Sequence, residues 1–119
     1  LTGEDVLSRR RRADGIARGG WKPEIHRSMT KMATYLAVKE GSWFDIPMGA
    51  LQSETLENLY GAGRMVWADD TAFAAVRVMG TCFATGHAAG VAAALQADLG
   101  QMPCVEKVRA ELQKQGGLV

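Results

Sequence analysis

At 119 residues, with 47% apolar and 23% charged residues and a net charge of +1, the chain has the composition of one modest globular domain. Near-neutrality excludes a chain-wide electrostatic trap for nucleic acid or acidic lipid. Cys82 and Cys104 provide no disulfide framework, and neither they nor the His26/His87 spacing makes a zinc pattern, so no metal site is expected.

The chain opens with Thr2-Gly3-Glu4-Asp5, which predicts a helix with Thr2 as N-cap and Asp5 near its start. That helix carries Val6 and Leu7 and is expected to run to Asp14-Gly15. Arg9, Arg10, Arg11 and Arg12 then fall on it as a solvated face. Four consecutive residues spread around more than one turn and make no single stripe, so phosphate or RNA contact is the lesser alternative.

Residues 16–21 and 24–26 read as short extended pieces around Gly19-Gly20 and Pro23. Residues 27–41 are ambiguous. Met29, Met32, Tyr35 and Leu36 have helical spacing, yet a loop or hairpin fits equally well. Trp43-Phe44-Asp45-Ile46 is β-like, and Pro47 confines it to an edge or a strand end.

Residues 53–58 form a turn, followed by a short strand at Leu59-Tyr60 that enters Gly61-Ala62-Gly63-Arg64. An irregular polar loop comes next, and a long Ala/Gly-rich helix opens near Val78. Gly86 and Gly90 lie four apart on one face of it, and each costs about 1 kcal/mol relative to alanine. A close approach by another element, a sheet, would justify that cost. Cys82 is expected to be a small buried hydrophobe in this helix, and His87 to have a packing role. The low-charge run 78–97 is built of Ala, Gly and Thr, contains His87 and ends at Asp98, so no membrane span is expected. A final helix is predicted from Val105 to Lys114, with Val105, Val108 and Leu112 inward, Pro103 ahead and Gly116-Gly117 as its stop.

The chemistry concentrates in residues 58–95. Strand, glycine turn, loop and helix start are parts from which α/β proteins build sites for phosphates or electron-rich rings. Gly61-Ala62-Gly63 lacks a third glycine and is a weak dinucleotide fingerprint alone. Arg77, however, stands where the long helix begins, and the N–H groups of Val78, Met79 and Thr81 would be free there. A helix start beside a guanidinium suits the charge at the N1/O2 edge of a reduced flavin. The alternative is that Arg77 pairs with Asp69 or Asp70 and the helix only packs.

Several segments resemble the FAD-dependent oxidoreductases of the glutathione-reductase-like Rossmann superfamily, in particular a bacterial group. They are Ala62-Gly63-Arg64, Arg77-Val78-Met79-Gly80-Thr81-Cys82 and Gly86-His87-Ala88-Ala89-Gly90-Val91-Ala92-Ala93. Leu1 to Leu7, Ile16-Ala17-Arg18-Gly19-Gly20-Trp21, Ile25-His26 and Phe44-Asp45-Ile46-Pro47 are similar to the same group. The resemblance implies an α/β fold. It would comprise an incomplete FAD-binding Rossmann-type domain (last strand plus long helix) over residues 58–119, with the terminal helix, and part of an α+β substrate-facing region over residues 1–57. It implies FAD as cofactor, with Gly63 and Arg64 near its phosphates or ribityl chain. Val78, Met79 and Thr81 would lie near the ring, and Arg77 and His26 on the substrate side.

Two positions depart from the group. Asp69-Asp70 replaces a Ser/Thr-His pair, and Gly49 stands where relatives tend to have arginine; both are substrate-facing by resemblance. The G-x-G-x-x-G unit that binds the ADP half of FAD is not among these residues. The expectation is therefore the C-terminal piece of an oxidoreductase that moves a hydride or electron pair between a small organic substrate and flavin. The piece alone is expected to be inactive, to hold FAD weakly or not at all, and to self-associate. A cytoplasmic location is favoured, with no nucleic-acid or membrane partner. The rival is a non-catalytic interaction domain derived from a flavoprotein tail.

Overall fold

A computed structural model describes all 119 residues. It contains four strands and four α-helices, an α/β arrangement with small sheets. Helix α1 (Gly3–Leu7) is followed by β1 (Gly15–Gly19), β2 (Glu24–Ile25), β3 (Thr34–Tyr35) and β4 (Phe44–Pro47). Helices α2 (Asp70–Val76), α3 (Met79–Leu99) and α4 (Val105–Lys114) complete the chain. Each sheet is an antiparallel pair, β1 with β4 and β2 with β3. Helix α3 packs on β1, α4 closes against both, and α1 lies against α2.

The first helix starts as its sequence predicts. Thr2 and Asp5 form a reciprocal capping box, Asp5 N–H to Thr2 Oγ1 at 3.2 Å and Thr2 N–H to Asp5 Oδ2 at 3.0 Å. Its predicted end at Asp14 is wrong. The helix stops at Leu7 because Arg9 turns left-handed, at φ 54°.

The arginine run is correspondingly no solvated helix face. The buried Arg9 guanidinium lies 5.5 Å from the Phe44 ring centroid and donates to the Gly20 and Trp21 carbonyls at 3.2 and 3.3 Å. Arg10 pairs with Asp5 at 3.1 Å, Arg12 with Asp14 at 2.9 Å, and Arg11 stacks on Trp43 at 3.4 Å. These contacts tie the loop after α1 to the β1–β4 ribbon.

In that ribbon Gly19 sits opposite Phe44. A Cβ on Gly19 would lie 2.3 Å from Phe44 Cζ, so only glycine lets the ring fold across the neighbouring strand. Phe44 is fully buried between this glycine and Arg9. It joins Val6, Ile16, Ile46, Leu51, Val76, Val108 and Leu112 in one core. That core draws on residues before and after position 58.

The ambiguous segment 27–41 resolves as hairpin and loop. Thr34-Tyr35 pairs with Glu24-Ile25, and Met29 and Met32 are fully exposed, so their helical spacing serves no helix. The expected strand at Leu59-Tyr60 is reduced to a single antiparallel bridge between Tyr60 and Gln52. The loop expected between Arg64 and Val78 contains α2, whose N-cap is Asp69. The final helix has its predicted bounds and buries Val108 and Leu112.

Candidate functional site

Two short backbone features and one hairpin converge around the junction of α2 and α3. The first is a 3₁₀ turn, Gly63–Met65. Gly63 adopts φ 61°, where a side chain would be strained, and a Cβ there would lie 3.4 Å from Cys82 Sγ. Its N–H donates to Thr85 Oγ1 at 2.9 Å, and Thr85 is wholly buried. The Thr85 hydroxyl in turn reaches the Thr81 carbonyl at 3.0 Å. The glycine turn is thereby fastened to the first turns of α3. Cys82 beside it is half-buried rather than buried as expected. Arg64 is exposed, its guanidinium 5.8 Å from the Phe73 ring.

The second feature is the junction itself. Arg77 closes α2, Val78 is extended, and α3 leaves at 93° to α2. Valine has no side-chain acceptor with which to cap a helix. The first backbone bond of α3 is Cys82 N–H to the Val78 carbonyl at 2.9 Å, and the N–H groups of Val78, Met79, Gly80 and Thr81 meet no protein acceptor. Met79 and Phe83 are exposed beside this start, whereas the Thr81 side chain is buried. Nothing stands within 4 Å of a Cβ at Gly80, Gly86 or Gly90. The close approach expected at Gly86 and Gly90 is thus made by no element of this chain.

The hairpin supplies the third part. Arg77 donates to the Glu24 carbonyl at 3.0 Å. The Glu24 carboxylate Oε1 lies 3.3 Å from His26 Nε2 and accepts from the Tyr35 hydroxyl at 3.0 Å. Donating that bond to the Glu24 carboxylate holds the Tyr35 phenol above its ordinary pKa. The pairing of Arg77 with Asp69 or Asp70 does not occur. Asp69 instead caps α2, and its carboxyl is held below the usual range by backbone N–H donors from Ala72 and Gly3.

The structure therefore brings Arg77 and His26 together through Glu24, and Gly63 and Thr81 together through Thr85. Val78 and Met79 follow Arg77 directly in the chain, as the N-cap and first residue of α3. Glu24, Tyr35 and Thr85 escaped sequence reasoning. The signal for the first two was the short hairpin that pairs Glu24 with Tyr35, with His26 just past the strand end. Recognition of the 24–35 hairpin would have exposed it. A cleft of about 450 Å³ lies elsewhere, between residues 50–55 and Leu59, Tyr60, Met65 and Trp67; of the residues named above only Met65, at the end of the 3₁₀ turn, lines it. No group of three or more His, Cys, Asp or Glu side chains comes together as a metal site. His87 Nε2 meets Gln115 Oε1 at 2.8 Å and links α3 to the end of α4.

The family model for FAD dependent oxidoreductase matches residues 1–115. No curated protein and no solved structure matches the chain. The chain belongs to the FAD dependent oxidoreductase family, and membership implies FAD as the cofactor of the whole protein.

Proposed function

We propose that this family member is the C-terminal portion of an FAD-dependent oxidoreductase, and that its α2–α3 junction faces the flavin. One observation carries the reading: α3 starts uncapped, with the N–H groups of Val78, Met79, Gly80 and Thr81 unengaged, directly after Arg77. Unpaired donors at a helix start hold partial positive charge and favour an electron-rich ring edge or an anion. The open space at Gly80 leaves room for a planar group against the backbone. These features fit the cofactor that the family implies.

When bound, FAD supplies the hydride or electron-pair chemistry toward a small organic substrate. The chain's own residues bind and orient. Val78, Met79 and Thr81 present backbone donors at the ring, and the Met79 side chain provides an apolar edge that keeps water away. Arg77 adds positive charge at the helix start while its bond to Glu24 keeps the guanidinium in place. Gly63 and Arg64 serve the phosphate or ribityl side. Since the Gly63 N–H is already given to Thr85, Gly63 contributes a close backbone approach, and Arg64 contributes charge. His26 is the substrate-side acid or base.

The 119 residues alone are proposed to be inactive and to hold FAD weakly, because the β-α-β unit for the ADP half is not among them. Met79 at 78% and Phe83 at 75% exposure, with the open Gly86 and Gly90 face, then favour self-association. Sedimentation should show association that Phe83→Ser weakens. The decisive experiment is the visible spectrum of protein made from the intact gene, repeated on the supernatant after heating. Flavin bands that pass into the supernatant as FAD support the reading. A folded protein that stays colourless with added FAD overturns it, and leaves the interaction-domain reading in its place.

A further inference from the structure

A second cavity of about 450 Å³ lies where β1, α3, α4 and the residues after α4 meet. Its size is that of a small-molecule site, and its walls are apolar: Ile16 from β1, Phe83 and Ala84 from α3, Leu112 from α4, and Leu118. Gly80, the second residue of α3, also lines it, so the cavity reaches the uncapped helix start. Arg18 is the only charged residue in the lining. His87 lines it too, but its Nε2 is engaged by Gln115 at 2.8 Å, which holds the ring in the wall.

Arg18 is held in place without being neutralised. Its guanidinium lies 4.6 Å from the Trp43 ring centroid, and Nη2 donates to the carbonyl of Val119, another cavity residue, at 2.9 Å. No other acceptor takes its N–H groups, and Nε has no hydrogen-bond partner. The one side-chain carboxylate within 4 Å is that of Asp45. Its Oδ1 is 3.8 Å from Arg18 Nε and equally 3.8 Å from Arg11 Nη1, while its Oδ2 accepts the Arg12 N–H at 2.9 Å. One carboxylate thus faces two guanidinium groups, which leaves positive charge at the cavity wall.

We propose that this cavity binds an organic carboxylate with an apolar body, the carboxylate on Arg18 and the body against Ile16, Phe83 and Leu112. A guanidinium fork matches the two oxygens of a carboxylate. A single cation among apolar walls suits a monoanion, whereas a phosphate dianion would lack donors for its remaining oxygens. That this acid is the substrate of the whole protein rests on the reading of the α2–α3 junction as flavin-facing, since Gly80 belongs to both.

The test titrates phenylacetate into the full chain, with 2-phenylethanol as its uncharged near-isostere, and follows both by NMR. Phenylacetate should shift the ring signals of Phe83 and His87 and leave the indole signal of Trp67, in the other cleft, unmoved. The wild type should prefer the acid to the alcohol by about tenfold or more, the worth of one charge-assisted hydrogen bond. Arg18→Met keeps an unbranched apolar stem and should abolish that preference by weakening the acid alone. Lys107→Met removes an exposed cation outside the lining and should bind as the wild type does. Equal affinity of the wild type for acid and alcohol overturns the proposal, and so does undiminished binding of the acid by Arg18→Met. The first comparison uses no variant and decides the matter even if Arg18→Met does not fold. If the acid binds through Arg18 but protein from the intact gene carries no flavin, the cavity is an organic-acid site and the oxidoreductase reading is what fails.

Discussion

Asp69 joins the two ends of the chain's first seventy residues: its Oδ2 accepts the Gly3 N–H at 2.7 Å while its Oδ1 caps α2 at Ala72. One carboxylate thereby satisfies the starts of α1 and α2 together, where each helix has unpaired donors. An acid stands there because it is serving backbone donors.

Asp69→Ala should destabilise the fold by about 1–2 kcal/mol, the range for a lost N-cap. The folded carboxyl titrates below its unfolded value because of the Ala72 and Gly3 N–H donors. Its contribution is therefore complete above the unfolded pKa, near ~3.9, and is lost as pH falls through the folded value. Denaturant melts should show the gap between wild type and Asp69→Ala narrowing in acid. A gap that is constant down to the acid limit would remove this role.

Arg9 combines a left-handed backbone with a buried guanidinium, and the two can be separated by substitution. Arg9→Ala loses the Gly20 and Trp21 bonds and retains the strain. Arg9→Gly loses the same bonds and relieves it, so it should be the more stable of the two by about 1 kcal/mol. Equal midpoints in urea would show that the φ value costs nothing there.

Thr85→Val keeps the shape of a wholly buried side chain and removes the acceptor for Gly63 N–H. Leaving that donor unpaired should cost about 1–3 kcal/mol. It should also release the glycine turn from α3. In protein from the intact gene, the variant is expected to lose FAD more readily on dilution and filtration. Wild-type retention with wild-type stability would separate the turn from the cofactor.

Gly86 and Gly90 lie in a helix interior with open space beside them. In this chain Gly86→Ala and Gly90→Ala should each stabilise α3 by about 1 kcal/mol. In protein from the intact gene the same changes should be destabilising, if a sheet there approaches the helix as the glycines suggest. Thermal melts of the two proteins, compared variant by variant, decide the matter. Stabilisation in both would mean that nothing packs closely on this face.

Local chemistry was legible wherever one residue acts on its neighbours. Thr2 and Asp5 announced a capping box, Pro47 a strand end, and the Val105, Val108 and Leu112 spacing a terminal helix, and each is present. The α3 start was legible for the same reason, since Val78 cannot cap the helix it precedes. Helix α2 was not legible because an acid such as Asp69 can equally pair with Arg77, face a substrate or cap a helix, and only the fold gives it the Ala72 N–H.

By itself, then, the sequence determined the family, the start of α1, the terminal helix and the uncapped helix start beside Arg77, because these depend on residue type and short spacing. Tertiary structure alone decided where α1 ends and where the arginines go. No local signal turns Arg9 left-handed; the gain is the burial of its guanidinium against Phe44 and two carbonyls more than ten residues away. Tertiary structure also decided what Arg77 binds. Its acceptor is a carbonyl on a hairpin 53 residues earlier in the chain, and that contact exists only once α2, α3 and the hairpin have packed.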